Sequence, residues 1–207
     1  IPFQAYYTHH GPLFPLDYQD GKLVFSLDGR IAYSLALSMS NSGPLLYPGD
    51  LIGRTLRTFY RLNTAKTVAD VKLALGLQGE PDSFSPEDAL QLPKWNIMCA
   101  DRAGNIFYIF NGRIPVRQAP HQEDAAYWDR PRQGWGGHDE WARNEKGETL
   151  FWSIRDLPQV ENPPSGLLVN CNASPWYVSP DSSISPGDYP YYVCDEVDTE
   201  RQHRAME

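Results

Sequence analysis

Five residues, Asp101-Arg102-Ala103-Gly104-Asn105, separate two β-rich runs, Trp95–Ala100 and Ile106–Phe110. A connection this short makes the runs lie side by side and antiparallel, as a hairpin whose Gly and Asn take the positive-φ positions. Any fold open to the chain must contain an antiparallel sheet at this point. The first third repeats the pattern. Phe3, Ala5 and Tyr7 alternate onto one face, and Leu23, Phe25 and Leu27 onto another after the Asp20-Gly21 turn. Asp28-Gly29 then leads into a third run, residues 31–37.

Between these strand regions the period changes. Leu51, Ile52, Leu56, Phe59 and Tyr60 recur at helical spacing over residues 51–62. Thr67-Val68-Ala69-Asp70 has the form of a capping box with Asp in place of Glu, opening a helix at Val71. Ser85-Pro86-Glu87-Asp88 supplies a capping Ser, a Pro at the first helical position and acids in the first turn. Residues 117–150 are polar and read as a long surface loop with a short excursion. Leu167-Leu168-Val169 reads as a short apolar strand, and residues 173–190 as loop. Strands, then helices, then strands make the chain α+β, with at least one mixed or antiparallel sheet.

Length and charge narrow the classes. The 207 residues suit one domain, and a formal net charge of -8 makes nucleic acid and anionic membrane surfaces poor partners. No apolar run reaches the roughly 18–20 residues of a membrane span. The chain opens on Ile1-Pro2 without an initiator Met or signal peptide and stops at Arg201–Glu207, which reads as the first turn of a helix. The expectation is a single incomplete domain over residues 1–207, a piece of a longer chain. Cys99, Cys171 and Cys194 form no CxxC pair, which argues against zinc. Cys99 reads as a buried small hydrophobe, and a Cys171–Cys194 bridge and two free thiols are about equally compatible with the sequence.

Standard catalytic patterns are missing: there is no GxSxG, HExxH, Walker loop or GxGxxG. Adjacent His9 and His10 on a strand would point to opposite faces and could not share one metal. Asp17, Asp20, Glu123 and Asp124 read as solvated carboxylates. Trp128, Trp135, Trp141 and Trp152 could line an aromatic groove, although such rings more often cover a core.

Three segments carry a resemblance. Tyr7-Thr8-His9-His10-Gly11-Pro12-Leu13, Ala100-Asp101-Arg102-Ala103-Gly104-Asn105-Ile106 running on to Gly112-Arg113-Ile114-Pro115-Val116-Arg117, and Leu157–Pro175 with Asn162-Pro163-Pro164-Ser165-Gly166 and Asn170-Cys171-Asn172 occur in that order. Together they resemble the penicillin acylase (penicillin amidase) family. The resemblance implies an αββα sandwich and N-terminal-nucleophile hydrolysis. In that chemistry a precursor cleaves itself, and the new N-terminal Ser, Thr or Cys attacks an amide carbonyl with its own α-amine as base. It implies acyl-amide substrates, such as β-lactam side-chain amides or acyl-homoserine lactones, and a periplasmic or secreted location.

Residue by residue, the resemblance puts Asn172 in the oxyanion hole. A neutral amide N–H suits that task, because it stabilises the oxyanion without protonating the nucleophilic amine. The rival reading of Asn170 and Asn172 is that both simply cap turns. Arg204 is the candidate for an Arg that orients the site, with Arg201 competing for the same role. Asn170 would share the face of Asn172 in a strand-like run, and His10-Gly11-Pro12 would form a supporting turn nearby. The nucleophile is expected outside this segment, so the segment alone is expected to be inactive and to need the alpha chain and nucleophile segment of its own precursor as partners. The family's calcium ligands do not map here, so no cofactor is assigned to the segment, while a structural calcium remains open for the full-length protein. Two other readings compete with this one: a non-catalytic α+β domain with an aromatic groove, and a degenerate acylase homologue kept for binding.

Overall fold

A computed structural model describes residues 7–8, 11–14, 16–20, 22–25, 33–34, 50–78, 94–112, 114–118, 124–128, 140–145, 147, 149–194 and 196–207. Five short strands come first: β1 (Tyr7–Thr8), β2 (Gly11–Phe14), β3 (Leu16–Gln19), β4 (Lys22–Phe25) and β5 (Tyr33–Ser34). β2 pairs antiparallel with β1 and β5, while β3 and β4 form a hairpin in which Gln19 faces Lys22. Asp20, the described residue of the expected turn, takes φ 51, as a tight hairpin requires. Phe3, Ala5, His9, His10 and the expected helix at residues 85–92 lie outside the described residues.

Two helices follow, α1 (Asp50–Thr64) and α2 (Val68–Ala74). The α2 N-terminus forms the capping box read from the sequence. Thr67 Oγ1 accepts from the Asp70 amide at 3.1 Å, and the Asp70 carboxylate accepts from the Thr67 amide at 3.0 Å. The helix expected over residues 51–62 forms in α1. Of the residues read at helical spacing, Phe59 packs against the core together with Leu62, while Leu56 and Tyr60 are exposed. The buried Thr58 adds a hydroxyl to the inward side.

The core is built on β6 (Trp95–Ala100), β7 (Ile106–Asn111) and β8 (Gln159–Glu161), an antiparallel sheet with β7 in the middle. Phe107 through Asn111 are all buried, without alternation, so β7 is covered on both faces as well as paired on both edges. Phe107, Tyr108, Ile109 and Phe110 join Val68, Val71 and Leu75 from α2 and Ile154, Leu157, Val178, Ile184 and Val193 from the C-terminal half in one cluster. Lys72 reaches from α2 over the Phe107 ring, 5.2 Å from its centroid, and pairs with Glu161 on β8 at 2.6 Å.

The expected strand at residues 167–169 does not form; the third strand of this sheet is Gln159–Glu161. Asn162 stands at φ 48 and Pro163 follows, so the chain leaves the sheet before Leu167 is reached. Beyond it run short helical turns at Pro175–Tyr177 and Pro186–Asp188. In residues 117–150 the described parts are a short helix, α3 (Ala125–Trp128), and single antiparallel bridges, Arg117 to Trp141 and Arg143 to Thr149. The chain ends in α4 (Glu200–Met206), capped by Thr199. The described architecture is small α+β. No disulfide joins Cys171 and Cys194, and Cys99 is half-buried, with burial pushing its thiol pKa up.

The hairpin turn is held by one carboxylate. Asp101 accepts from the amides of Ala103 and Asn105, each at 3.0 Å, and from the Asn105 side chain at 3.0 Å. It also accepts from the Val68 amide at the start of α2, at 3.2 Å. Asn105 Oδ1 in turn accepts from Asn162 Nδ2 at 3.2 Å, and Asn162 Oδ1 accepts from the Ile106 amide at 2.8 Å. Of the expected positive-φ pair only Gly104, at φ 91, has that conformation; Asn105 spends its side chain on Asp101 instead.

Two outcomes follow. Asn162→Ala loses both side-chain bonds and leaves a Cβ residue at positive φ, so urea unfolding should show a loss of about 1–3 kcal/mol, with Asn162→Gly losing less. The donors around Asp101, the Asn105 side chain foremost, hold its carboxyl below its ordinary 3.8. That stability is present above the ordinary value and is lost as pH falls through the lower folded one. Thermal melts of Asp101→Asn should show a shallower acid limb than the unsubstituted protein.

Candidate functional site

Asn172 lies on the irregular turn between β8 and the Pro175–Tyr177 helical turn, at φ 63 and exposed to solvent. The left-handed conformation is one that Asn tolerates better than most residues. Asn170 enforces it. Asn170 Oδ1 accepts from the Asn172 amide and Asn170 Nδ2 donates to the Ala173 carbonyl, both at 3.0 Å. The Asn170 side chain therefore wraps the turn from within, and the two residues do not share the face of a strand as the sequence expectation had it. Both do shape a turn, and for Asn172 that leaves the side chain free for another task.

The side chain of Asn172 is oriented from α4. Arg201 Nη2 donates to Asn172 Oδ1 at 3.3 Å and to the Cys171 carbonyl at 3.0 Å. A guanidinium carries donors only, so the amide atom it meets must be the oxygen. Nδ2 is thereby turned away from α4, and among the described residues no acceptor meets it. The result is a neutral N–H donor facing solvent, with a fixed cation behind its dipole. Such a group can stabilise an anion that develops in front of it.

Of the two arginines read from the sequence, Arg201 is the one beside Asn172. Arg204 pairs with Glu207 at 2.6 Å at the exposed end of the helix, and the two arginines line a shallow groove with Glu200 and Ala205. His10 lies outside the described residues. His203, next on α4, pairs with Asp198 at 2.7 Å, and that hydrogen bond raises its pKa. Tyr177 donates to Glu196 at 2.7 Å, which raises its phenol.

The sequence reading missed Gln202. It is buried, and its side chain meets the backbone of the Asn172 turn three times. The signal was there in disguise. Thr199-x-x-Gln202 has capping-box spacing, which assigns Gln202 a local role. Only half of that box forms, the Gln202 amide donating to Thr199 Oγ1 at 3.1 Å, while the Gln side chain turns inward.

Of the tryptophans once considered for a groove, Trp152 packs against the core and donates to Tyr192 Oη at 3.3 Å. Trp141 is half-buried at its bridge, and the Trp128 side chain and Trp135 lie outside the described residues. Among the described residues no group of three or more His, Cys, Asp or Glu could hold a metal ion, and no helix is long and apolar enough to cross a membrane.

The family model described as penicillin amidase matches residues 1–207. For a hydrolase of that kind the geometry separates the two arginines. If the Asn172 amide acts on substrate, Arg201→Ala in the full-length protein should lower kcat by about tenfold or more, because Asn172 loses its orienting donor. Arg201→Lys should recover only part of this, since an ammonium lacks the planar fork that serves two acceptors. Arg204→Ala should stay within about twofold of the unsubstituted enzyme. Steady-state kinetics on a chromogenic acyl anilide reads all three.

Proposed function

The chain belongs to the penicillin amidase family, and on that premise we propose that it is the body of an N-terminal-nucleophile amidohydrolase in which Asn172 supplies a side-chain oxyanion donor. The family's chemistry is amide hydrolysis. The finer reading is that a precursor cleaves itself to free an N-terminal Ser, Thr or Cys that lies outside this sequence. The α+β architecture described above is compatible with part of an αββα sandwich. The substrate class is an acyl amide, such as a β-lactam side-chain amide or an acyl-homoserine lactone, met in the periplasm or outside the cell.

One observation carries the reading: the Arg201 contact that turns Asn172 Nδ2 toward solvent. In the proposed step the nucleophile's oxygen or sulfur bonds to the carbonyl carbon and its proton passes to its own α-amine. The carbonyl π pair moves onto oxygen, where Asn172 Nδ2–H donates to it. Collapse of this intermediate expels the amine, which leaves with the proton held by the α-amine. A donor that is neutral and oriented before the reaction stabilises the oxyanion without reorganisation as charge develops. Arg201 acts behind it, holding Oδ1 and strengthening the N–H dipole.

The test is Asn172→Ala in the full-length protein. Loss of one oxyanion donor should cost about 10²–10³ in kcat, with KM changed little and self-processing followed separately on a gel. Asn172→Asp should do no better, because a carboxylate would pair with Arg201 and face the oxyanion with like charge. Unchanged amidase turnover in Asn172→Ala would refute the role. A full-length protein that processes normally yet hydrolyses no acyl amide would instead favour the degenerate homologue.

A further inference from the structure

Gln202 is 1% exposed on a helix whose neighbours Glu200, Arg201, His203 and Arg204 all face solvent. Its single amide makes three bonds to one loop. Oε1 accepts from the Cys171 amide at 2.7 Å, and Nε2 donates to the carbonyls of Val169 at 3.1 Å and Tyr177 at 2.6 Å. These three backbone groups bracket Asn172 on both sides. Cys171 is therefore gripped from α4 through both of its peptide groups: its N–H by Gln202 and its carbonyl by the adjacent Arg201.

We propose that Gln202 is a positioning residue for the oxyanion donor, fixing the backbone of the Asn172 turn so that the side chain aimed by Arg201 stands at one height and angle over α4. This rests on the reading of Asn172 given above. Chemistry explains why a Gln is used. The loop offers one N–H and two carbonyls to the same point, and only a primary amide presents one acceptor and two donors within one neutral, planar group. The partly buried Cys171 amide and the Val169 and Tyr177 carbonyls, left without these partners, would lose bonds that water replaces only in part. A positional error of even about 1 Å in a catalytic group can lower rate on the order of 10²-fold.

Gln202→Glu gives a readout that a merely structural residue would not produce. The carboxyl keeps an acceptor for the Cys171 amide. When ionised it points its second oxygen at two carbonyls, and when protonated it restores one donor. Burial raises the pKa of such a carboxyl, so the defect should be relieved toward acid. The charged groups near it, Arg201, His203 and Glu200 on α4, Asp198 before it and Glu196 on Tyr177, are the same in both proteins. The quantity to read is therefore the ratio of variant to unsubstituted kcat.

In full-length enzyme acting on a chromogenic acyl anilide, that ratio should rise by about tenfold between pH 8 and pH 5, with KM within about twofold. Gln202→Met, which fills the space without hydrogen bonds, should lower kcat per folded enzyme by about tenfold or more at every pH. It also decides the matter if the Glu variant fails to fold. A flat ratio across pH, or a Met variant with full kcat in its folded fraction, overturns the proposal. Asn172→Ala, run in parallel, separates the two failures. If it is inactive while both Gln202 variants keep full turnover, only the positioning role falls; if it keeps turnover, the oxyanion reading falls and takes this proposal with it.

Discussion

The Asp101 carboxylate is the point on which the described fold turns. One ionised side chain closes the β6–β7 hairpin, receives the first amide of α2 and orders Asn105 so that it can reach Asn162. Those contacts join three parts of the chain: the hairpin, the start of α2 and, through Asn105, residue 162. A charged acceptor suits the task because bonds to an ionised group are stronger than neutral ones, and several converge on it without competition. The buried cluster of β7, α2 and the C-terminal half then packs around a junction whose angles are already set. Without it the β7–β8 ladder and the Lys72–Glu161 pair would remain, but the start of α2 would lose its fastening to the hairpin and Asn105 its hold toward Asn162.

The junction also delivers the site. Asn162 fastens the end of β8 to the start of β7, and its positive φ with the following Pro163 throws the chain off the sheet. From there residues 163–178 run as turns, held by side chains more than by ladders: Ser165 to Asp181, Asn170 within its own turn, Ser174 to Val197, and Gln202 from α4. A strand at this place would have put Asn170 and Asn172 side by side on one face. The turn instead uses one Asn as brace and presents the other.

How much of this was legible in the residues varies with the kind of force involved. The hairpin at residues 101–105, the Thr67–Asp70 capping box, the Asp20-Gly21 turn and the α+β class rest on local rules, and local rules are written in short stretches of sequence. Three features were not local. The inward face of α1 depends on which side meets the core, so helical spacing groups the exposed Leu56 and Tyr60 with the core-packed Phe59 and gives no sign of the buried Thr58. The strand expected at residues 167–169 lost to Gln159–Glu161, whose three paired residues look unremarkable until β7 is beside them. At the candidate site, resemblance singled out Asn172, and Arg201, which the structure puts beside it, was one of two choices. Gln202 was hidden because its partners lie 25 to 33 residues away and its spacing from Thr199 offered a simpler local explanation.

The grip of α4 on Cys171 has an evolutionary consequence. Residues 201 and 202 and the backbone of 169–177 form one heritable unit, since a change of length inside that turn would displace three acceptor and donor groups from one side chain at once. The chain between them is closed off at its base by the Ser174–Val197 pairing. Insertions and deletions can therefore accumulate in the exposed stretch at Ser185–Asp188, beyond that closure. Divergence among descendants of this sequence should be uneven in just this way: drift in length at the tip, and near-immobility in length where the helix holds the turn.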